Sequence, residues 1–289
     1  MSYILTFVSA QNTLSEDTIA SLATIQSKVT WLAANKAAEI IIPKCLKQPE
    51  MLALQEKAKT HQIDIFCTSS ANRKKSLFMA DMDSTIVTSE TLDELAAEAG
   101  IKDKISAITD RAMRGELDFH DALRERVMLI KDLSTEALKR TLDNTEISNG
   151  AQTLLNTLKN NNVFTALVSG GFTYYTGAIA AQLGFDVHHG NQLDISDNKL
   201  TGKVIDPILD KDSKLAYLNQ YVQSKNIFIG DTIAIGDGAN DLPMLKSAGL
   251  GIGYHPKPLV KAEILNSIIH TNLTSVLFMQ GYKSDEFID

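Results

Sequence analysis

The chain carries two patterns of hydrophobic and polar positions, one before residue 70 and one from Ser76 onward. In the first part, short apolar runs and amphipathic segments follow each other in an order that predicts β-α-β-β-α-β. This is the order of ferredoxin-like α+β domains, so we predict a small N-terminal domain over residues 1–72. The predicted elements are strands Tyr3–Val8, Val29–Ala33, Glu39–Ile42 and Ile63–Cys67, with helices from about Ser15 and over Glu50–Thr60.

In the second part, continuous apolar runs end abruptly in polar turns, which is typical of parallel strands that are buried on both faces. Helical patterns separate or follow these runs, so the sequence predicts an α/β fold with a Rossmann-like parallel sheet. Sheets of this kind bind ligands beyond the carboxyl ends of their strands. The predicted strands are Leu77–Ala80, Val163–Val168, Thr232–Ile235 and Leu250–Gly253, and the helices are Gly150–Asn160, Tyr174–Leu183, Lys214–Gln223 and Leu242–Ser247.

The stretch Thr88–Asn149 interrupts this alternation with helix-rich sequence. We interpret residues 89–149 as a helical cap inserted over the ligand site, with the core formed by residues 76–88 and 150–289. The terminal residues from Asp285 to Asp289 are expected to fray. The helical patterns of the cap cover Leu92–Ala99, Ile101–Arg114, Phe119–Ile130 and Thr135–Asp143.

Composition excludes several classes of protein. Lys and Arg total 28 against 35 Asp and Glu, and the net charge of −7 disfavours nucleic acid as a partner. No stretch approaches the roughly 20 apolar residues of a membrane span, and the start lacks a basic leader, so we expect a cytoplasmic protein without a membrane partner. The two cysteines, Cys45 and Cys67, favour reduced thiols over a disulfide framework.

Two aspartates follow the first buried strand, in Asp81-Met82-Asp83-Ser84-Thr85. At a strand end one carboxylate can attack a substrate while the other exchanges a proton. The same spacing fits positions one, three and five of a calcium-binding loop. Ile86 stands where that loop requires glycine and Leu92 where it requires glutamate, which disfavours the calcium interpretation.

A second turn, Gly236-Asp237-Gly238-Ala239-Asn240-Asp241, follows a later strand. Its glycines allow the backbone to approach a ligand, and Asp237 and Asp241 offer oxygen ligands that suit magnesium. Taken alone, an ordinary turn before a helix cap explains the motif equally well.

A third turn, Val168-Ser169-Gly170-Gly171-Phe172, offers a hydroxyl and backbone N–H groups that suit an anion. A plain strand-to-helix turn is an equally good interpretation. Lys211 and Lys214 both lie near the start of the next helix, and the sequence does not distinguish a ligand-binding lysine from a solvated one.

Taken together and in this order, the four motifs resemble the haloacid dehalogenase superfamily of phosphotransferases, from Leu77 to about Thr271. Within it, MADMDSTIVTSETLDELA, ELDFHDALRERVMLIKDL and the VSGGF and GDGANDLPML turns are similar to the phosphoserine phosphatases. The match is specific because it includes the helical insertion. It implies a haloacid dehalogenase-type core with an inserted helical cap, and the first domain is compatible with the ACT-like regulatory domain of related phosphatases.

The resemblance also implies a mechanism, in which O-phospho-L-serine is hydrolysed through an aspartyl-phosphate in the last step of serine biosynthesis. Asp81 would be the nucleophile and Asp83 the general acid and base. One Mg²⁺ would be held by Asp81, the backbone carbonyl of Asp83, and Asp237, with Asp241 in support. The implied substrate-binding residues are Ser169, Gly170, Lys214 and Asn240 for the phosphoryl group, Glu90 for the ammonium, Arg126 for the carboxylate, and Met113 and Phe119 as pocket walls.

Two other functions stay open at the level of sequence. One is a related phosphatase or phosphotransferase for another small amino-alcohol phosphate, which the presence of both Glu90 and Arg126 disfavours. The other is an amino-acid sensor without catalysis, which has no need of a second aspartate at position 83. For the N-terminal domain, a homodimer contact and regulation by serine are hypotheses, because the sequence shows no effector site.

Overall fold

The structure is a computed structural model that describes residues 2–23, 27–113 and 116–289. The strands are β1 Tyr3–Ser9, β2 Thr30–Ala33, β3 Ala37–Ile42, β4 Ile63–Ser69, β5 Leu77–Ala80, β6 Phe164–Phe172, β7 Val187–Ser196, β8 Lys199–Ile205, β9 Thr232–Gly236, β10 Leu250–Tyr254 and β11 Asn266–Ile268. The helices are α1 Glu16–Ala23, α2 Gln48–Ala58, α3 Thr91–Glu98, α4 Lys102–Met113, α5 Phe119–Leu129, α6 Thr135–Asp143, α7 Ala151–Asn160, α8 Thr173–Leu183, α9 Lys211–Ser224, α10 Leu242–Ser247, α11 Pro258–Glu263 and α12 Ser275–Met279.

The first four strands form an antiparallel sheet in the order β2-β3-β1-β4, as a ferredoxin-like order requires. Alternation along β1 sends Leu5 and Phe7 to the face that α1 and α2 cover. Val8 and, on β4, Phe66 belong to the opposite face and join the same apolar cluster as Phe278 of α12. Both faces of the small sheet are therefore buried, one of them against the rest of the chain.

The end of the chain takes part in this packing. The ring of Phe287 lies 4.9 Å from that of Phe278, measured between centroids, and the Ile288 N–H donates to Thr157 Oγ1 at 2.9 Å. The prediction of a frayed tail is wrong, because the apolar Phe287 is stabilised by packing against the main core.

The second sheet has seven strands in the order β11-β10-β9-β5-β6-β7-β8, and every neighbouring pair except β7 and β8 is parallel. Residues of β5 alternate between two apolar clusters: Phe78 packs with α7 and α8, and Leu77 and Met79 pack with α9, α10 and α11. The predicted α/β fold is confirmed, with helices on both faces of a mainly parallel sheet.

The sequence did not reveal every element of this sheet. We did not predict the β7–β8 hairpin and β11, nor the helices α11 and α12. Strand β6 also continues through the glycine turn to Phe172 rather than ending at Val168. Strand β7 is only partly buried and begins with polar residues such as His188 and His189, so it lacks the apolar run used to find the other strands.

Helices α3 to α6 lie between β5 and α7, within the predicted insertion. Backbone hydrogen bonds connect this region to the hairpin, since Asp132 N–H donates to the Leu200 carbonyl at 2.8 Å and Ser134 bridges to Lys199. The domain boundaries at residues 72, 89 and 149 stay predictions. Among the described helices, none combines the length and hydrophobicity needed to cross a membrane.

Candidate active site

Three motif-bearing strands end side by side in the middle of the large sheet. Ala80 of β5 pairs in register with Leu167 of β6 and Ile235 of β9. The next strand of the sheet along the chain, β6, lies on one side of β5, and the later strand β9 lies on the other side. This change of direction in the strand order opens a crevice at the carboxyl ends of the three strands. Asp81 follows β5 directly, while Ser169 and Asp237 come two residues after the paired positions, so the three side chains meet at one edge.

Lys214 and two aspartates form a buried ion cluster behind this edge. Lys214 Nζ lies 2.7 Å from Asp81 Oδ1 and 2.6 Å from Asp241 Oδ1, and the lysine is 1% exposed. Burial alone would lower the pKa of Lys214, but the two carboxylates outweigh it and raise the pKa above the usual value. Burial raises the pKa of Asp81 well above its usual range; the charge of Asp241 adds to this and Lys214 opposes it.

Asp83 points to a different set of partners. Its Oδ1 accepts a hydrogen bond from the Thr91 N–H at 2.8 Å, and its Oδ2 accepts one from Ser169 Oγ at 3.0 Å. Burial, followed by the charge of Glu90, raises the pKa of Asp83 above its usual value. A Cβ atom at Gly171 would lie 2.7 Å from Asp83 Oδ2, so only glycine allows this approach of the two loops.

The residues present fit a hard divalent cation. Oxygen atoms of Asp81, Asp237 and Asp241 all lie within 4.8 Å of one another. Three buried carboxylates at this separation repel one another, and carboxylate oxygens are the ligands that Mg²⁺ takes in proteins. The carboxylate of Asp83 is not in this group, since it is engaged by Thr91 and Ser169.

A cavity of about 860 Å³ opens in front of the strand ends. Phe119 of α5 reaches over the glycine turn, because a Cβ at Gly170 would lie 3.6 Å from Phe119 Cζ. Lys214 and Asp241 are not among the residues that line the cavity and lie behind Asp81. The predicted site residues that line it are Asp81, Asp83, Glu90, Phe119, Arg126, Ser169, Gly170, Asp237 and Asn240. Met113 is the last residue of α4, and its side chain lies outside the described residues.

Two arginines of α5 have different surroundings, as expected from their different helix faces. Arg126 lines the cavity, and burial lowers its pKa against the attraction of Asp93 and Glu90. Arg124 instead pairs with Asp206, at 2.9 Å between Nη2 and Oδ1. Only Arg126 is therefore placed to meet a ligand in the cavity.

The sequence missed one cation in the site. Lys257 Nζ lies 3.0 Å from Asp237 Oδ2 and 3.7 Å from Glu90 Oε1. Burial has the largest single effect and lowers the pKa of Lys257, but the charge and hydrogen bond of Asp237, together with the charges of Glu90 and Asp81, outweigh it and raise the pKa above its usual value. Lys257 comes shortly after the carboxyl end of β10, and its position beyond a predicted parallel strand was the available signal.

A contact between the cap and the core was missed as well. His120 of α5 approaches Asp210, the N-cap residue of α9, with 3.1 Å between Nε2 and Oδ2. Both residues line the cavity, so the pair joins its two walls. Sequence separation hides such a pair, because the two residues are 90 positions apart.

Comparison with known proteins identifies the family. The model for haloacid dehalogenase-like hydrolases matches residues 78–246, which include all three strand-end motifs and the helical insertion. The chain belongs to the haloacid dehalogenase-like hydrolase family.

Relatives of this haloacid dehalogenase-like hydrolase include a phosphoserine phosphatase from Archaeoglobus fulgidus, which is 41% identical over 208 residues. The match covers 72% of this chain, and the chain spans 60% of that relative's length. A crystal structure of a family member from Salmonella enterica serovar Typhi is similar over 96% of this chain and 98% of its own, with a TM-score of 0.88 and 30% identity. A substrate-bound phosphoserine phosphatase structure matches 71% of this chain and 98% of its own, at 38% identity and a TM-score of 0.66.

Proposed function

We propose that the chain is a magnesium-dependent phosphatase that hydrolyses O-phospho-L-serine to L-serine and phosphate. The observation that carries the proposal is the pairing of Asp81 and Asp83 at a cavity that Glu90 and Arg126 also line. A substrate with a phosphate, an ammonium and a carboxylate needs all of these groups. The similarity to named phosphoserine phosphatases supports the same assignment.

In the first step, Asp81 attacks the phosphorus atom and forms an aspartyl-phosphate, while the bond from phosphorus to the serine oxygen breaks. Asp83 gives its proton to that oxygen, so serine leaves as a neutral alcohol. A general acid must hold a proton near neutral pH, and the raised pKa of Asp83, caused by burial and by Glu90, suits this role.

In the second step, a water molecule attacks the phosphorus atom from the side opposite Asp81, and Asp83 takes its proton. The bond from phosphorus to Asp81 breaks, phosphate is released, and both aspartates return to their starting states. Ser169, the Gly170 N–H, Lys214 and Asn240 are proposed to donate hydrogen bonds to the phosphoryl oxygens. For Lys214 this requires a change of partner, because its Nζ contacts Asp81 and Asp241 in the structure. Ser169 must change partner as well, because its single hydroxyl hydrogen is donated to Asp83 Oδ2.

Asp81, Asp237 and the backbone carbonyl of Asp83 are proposed to hold one Mg²⁺, with Asp241 in support. When bound, the ion supplies positive charge that offsets the repulsion between the carboxylates and a dianionic phosphate. Lys214 and Lys257 supply further positive charge, since each lies within 3.0 Å of a carboxylate of this group. This local field explains how a protein with a net charge of −7 binds a small anion.

Selectivity is proposed to reside in the cap. Arg126 would bind the substrate carboxylate through two parallel hydrogen bonds, and Glu90 would bind the ammonium. Phe119 lies over Gly170 and would exclude water from the phosphoryl group, with Met113 as a second wall. A homodimer, regulation by serine and a cytoplasmic location stay predictions.

Phosphate release from a panel of monoesters tests the proposal. The panel contains O-phospho-L-serine, O-phospho-L-threonine and glycerol phosphate, each with and without Mg²⁺. We expect kcat/KM for phosphoserine to exceed that for glycerol phosphate by at least about 10²-fold, because glycerol phosphate leaves Arg126 and Glu90 unpaired. Equal rates would contradict the roles of Glu90 and Arg126, and no hydrolysis of any monoester would contradict the catalytic proposal as a whole.

A further inference from the structure

A single buried side chain on β7 connects two segments of the site. Asn191 is 1% exposed, and its amide makes three hydrogen bonds. Oδ1 accepts from the Leu209 N–H at 2.7 Å, while Nδ2 donates to the Leu209 carbonyl at 3.2 Å and to the Gly170 carbonyl at 2.8 Å. Both donor hydrogens have partners, and only one orientation of the amide satisfies all three contacts.

The two contacts with Leu209 determine where the third one points. They hold the amide plane of Asn191 against a backbone segment that leads directly into the N-cap of α9. With this side fixed, the remaining N–H of Nδ2 is aimed at Gly170 on the neighbouring strand. The Asn191 side chain therefore connects Leu209 to Gly170 in the glycine turn of β6.

From Gly170 a chain of hydrogen bonds runs to the reacting groups. The Gly170 carbonyl and the Gly171 N–H are opposite ends of one planar peptide unit, so fixing one end orients the other. The Gly171 N–H donates to Ser169 Oγ at 2.8 Å, and Ser169 Oγ donates to Asp83 Oδ2 at 3.0 Å. The order is Asn191, the peptide between residues 170 and 171, Ser169 and Asp83, and each bond polarises the next.

The pairing of the sheet is irregular around this peptide. The pairing of β6 with β7 shifts register between Val168 and Phe172, which is the stretch that contains the two glycines. Regular ladder bonds are interrupted at such an irregularity, and glycine leaves the backbone free to adopt other conformations. A side-chain contact from the next strand supplies the missing restraint.

We infer that Asn191 is a positioning residue: it fixes the peptide between Gly170 and Gly171 so that the Ser169 hydroxyl donates to Asp83. The inference rests on the proposed phosphatase function, in which Ser169 and Asp83 act on the phosphoryl group and the leaving oxygen. Asn191 is not among the described residues that line the cavity, and it acts through Ser169.

The chain contains a matched control for this role. Asn266 of β11 is 5% exposed and holds one residue of β4 in the same way: Oδ1 accepts from the Cys67 N–H at 2.8 Å and Nδ2 donates to the Cys67 carbonyl at 3.2 Å. These contacts repeat those of Asn191 with Leu209. The bond to Gly170 is what distinguishes Asn191, and Asn266 lies between the two sheets rather than at the cavity.

The first experiment compares Asn191→Asp with Asn266→Asp in the full-length protein. Each variant keeps the acceptor oxygen. N191D loses the donors to the Gly170 and Leu209 carbonyls and N266D loses the donor to the Cys67 carbonyl, so both are expected to lower the melting temperature. N191D is expected to lower kcat for phosphoserine by about 10–100-fold with KM changed less than about 3-fold, because a small displacement of a reacting group costs that much. N266D is expected to leave both constants at the wild-type values. Equal kcat values in N191D and wild type, or equal losses in both variants, overturn the inference.

A double-mutant cycle tests whether Asn191 acts through Ser169. In the Ser169→Ala background, N191D is expected to change kcat by less than about 3-fold, because the hydroxyl it positions is already absent. An equal factor in both backgrounds overturns the inference. Asn191→Ala and Asn266→Ala repeat the comparison without the added carboxylate, in case the charge prevents folding.

Amide hydrogen exchange at Gly171 separates this inference from the proposed function. In N191D the Gly171 N–H is expected to exchange at least 10-fold faster relative to the other β6 amides, and in N266D it is expected to stay at the wild-type ratio. This measurement needs no substrate. If the wild-type protein hydrolyses no monoester, the proposed function fails, but the exchange rate still decides whether Asn191 fixes the peptide. An unchanged Gly171 exchange rate in N191D overturns the inference that Asn191 fixes it.

Discussion

Two regions of the molecule bury aspartates almost completely, but they surround the carboxylates with different partners. Asp64 lies between the two sheets at 2% exposure, where it accepts hydrogen bonds from the N–H groups of residues 269, 270 and 271 and from the Thr271 hydroxyl. Asp81 lies at the cavity at 4% exposure, with one backbone N–H and Lys214 as donors and with Asp241 as a repelling neighbour. A carboxylate surrounded by backbone donors is a structural connection, whereas one with a single backbone donor and a charged partner keeps lone pairs for a ligand.

The cations of the two regions differ in the same way. Arg73 joins the small sheet to α12, with its Nη2 2.7 Å from Glu39 Oε2 and 3.4 Å from the Met279 carbonyl. Within the part of the chain that the structure describes, Lys214 Nζ has no backbone carbonyl partner and is held between two carboxylates. The charged groups between the sheets are thus paired with other groups of the protein, whereas those at the cavity can exchange their partners for a substrate.

Replacing Asp81 and Asp64 in turn should give the largest difference in kcat between the two regions. Asp81→Asn is expected to lower kcat for phosphoserine by at least about 10³-fold, because the amide is a poor nucleophile. Asp64→Asn is expected to leave kcat unchanged and to lower the free energy of unfolding by about 1–3 kcal/mol, because an amide group would face backbone donors. Phosphate release and urea unfolding measure the two effects. An active D81N variant would remove Asp81 from the role of nucleophile.

Removing the cations is the next largest test. Lys214→Met leaves Asp81 and Asp241 buried without their shared partner, and we expect the free energy of unfolding to fall by about 3–5 kcal/mol and kcat to fall with it. Arg73→Met is expected to cost about 1–3 kcal/mol, since it leaves the mostly buried Glu39 carboxylate without its charged partner, and to leave kcat unchanged. Thermal unfolding and initial rates distinguish these outcomes. Should K214M not fold, Lys214→Arg keeps the charge and tests the geometry alone.

A smaller change is expected on the cap side of the cavity. Arg126→Met should raise KM for phosphoserine by about 10–100-fold, equivalent to the roughly 1.5–3 kcal/mol of a hydrogen bond to a charged group. Arg124→Met, on the other face of α5, serves as the control and should leave KM unchanged, because Arg124 pairs with Asp206. Similar KM values for the two variants would contradict a carboxylate subsite at Arg126.

The sequence predicted the catalytic edge of the sheet well because strand ends follow a general rule. A buried apolar run followed by polar residues is visible without an alignment, and it located Asp81, Ser169 and Asp237. Residue patterns alone did not distinguish Lys211 from Lys214. The family resemblance selected Lys214, and the structure buries Lys214 between Asp81 and Asp241. The cap residues Glu90 and Arg126 were found only through the family resemblance.

Other features could not be predicted because they depend on tertiary contacts between distant positions. Asn191 is a single polar residue without a local motif, and its role arises from residues that are distant in the sequence. The packing of the chain end on α12 likewise depends on a surface that forms only when both sheets are present. Local periodicity carries no information on such pairs.

The smallest expected effect concerns a group that supports the site without facing the cavity. His189 of β7 stacks on Tyr217 of α9 with 3.8 Å between ring centroids, and its Nε2 lies 2.6 Å from Tyr221 Oη. Burial, followed by the neighbouring His188, lowers the pKa of His189 below its ordinary value of 6.5. The unfolded chain therefore binds a proton more readily than the folded one, and this contribution to stability is lost as the pH falls below about 6.5.

A comparison of His189→Phe with wild type isolates this contribution from those of the carboxylates. Asp83, with its raised pKa, acts in the opposite sense, because its folded form binds the proton more tightly and loses stability as the pH rises. Unfolding free energies at pH 7.5 and 5.5 should show that H189F loses less stability on acidification than wild type, by less than about 1 kcal/mol because His189 is partly solvated. The same pH dependence in H189F and wild type would contradict this prediction. It would mean that His189 binds its proton equally well in the folded and unfolded chain, so that its burial beside Tyr217 does not lower its pKa.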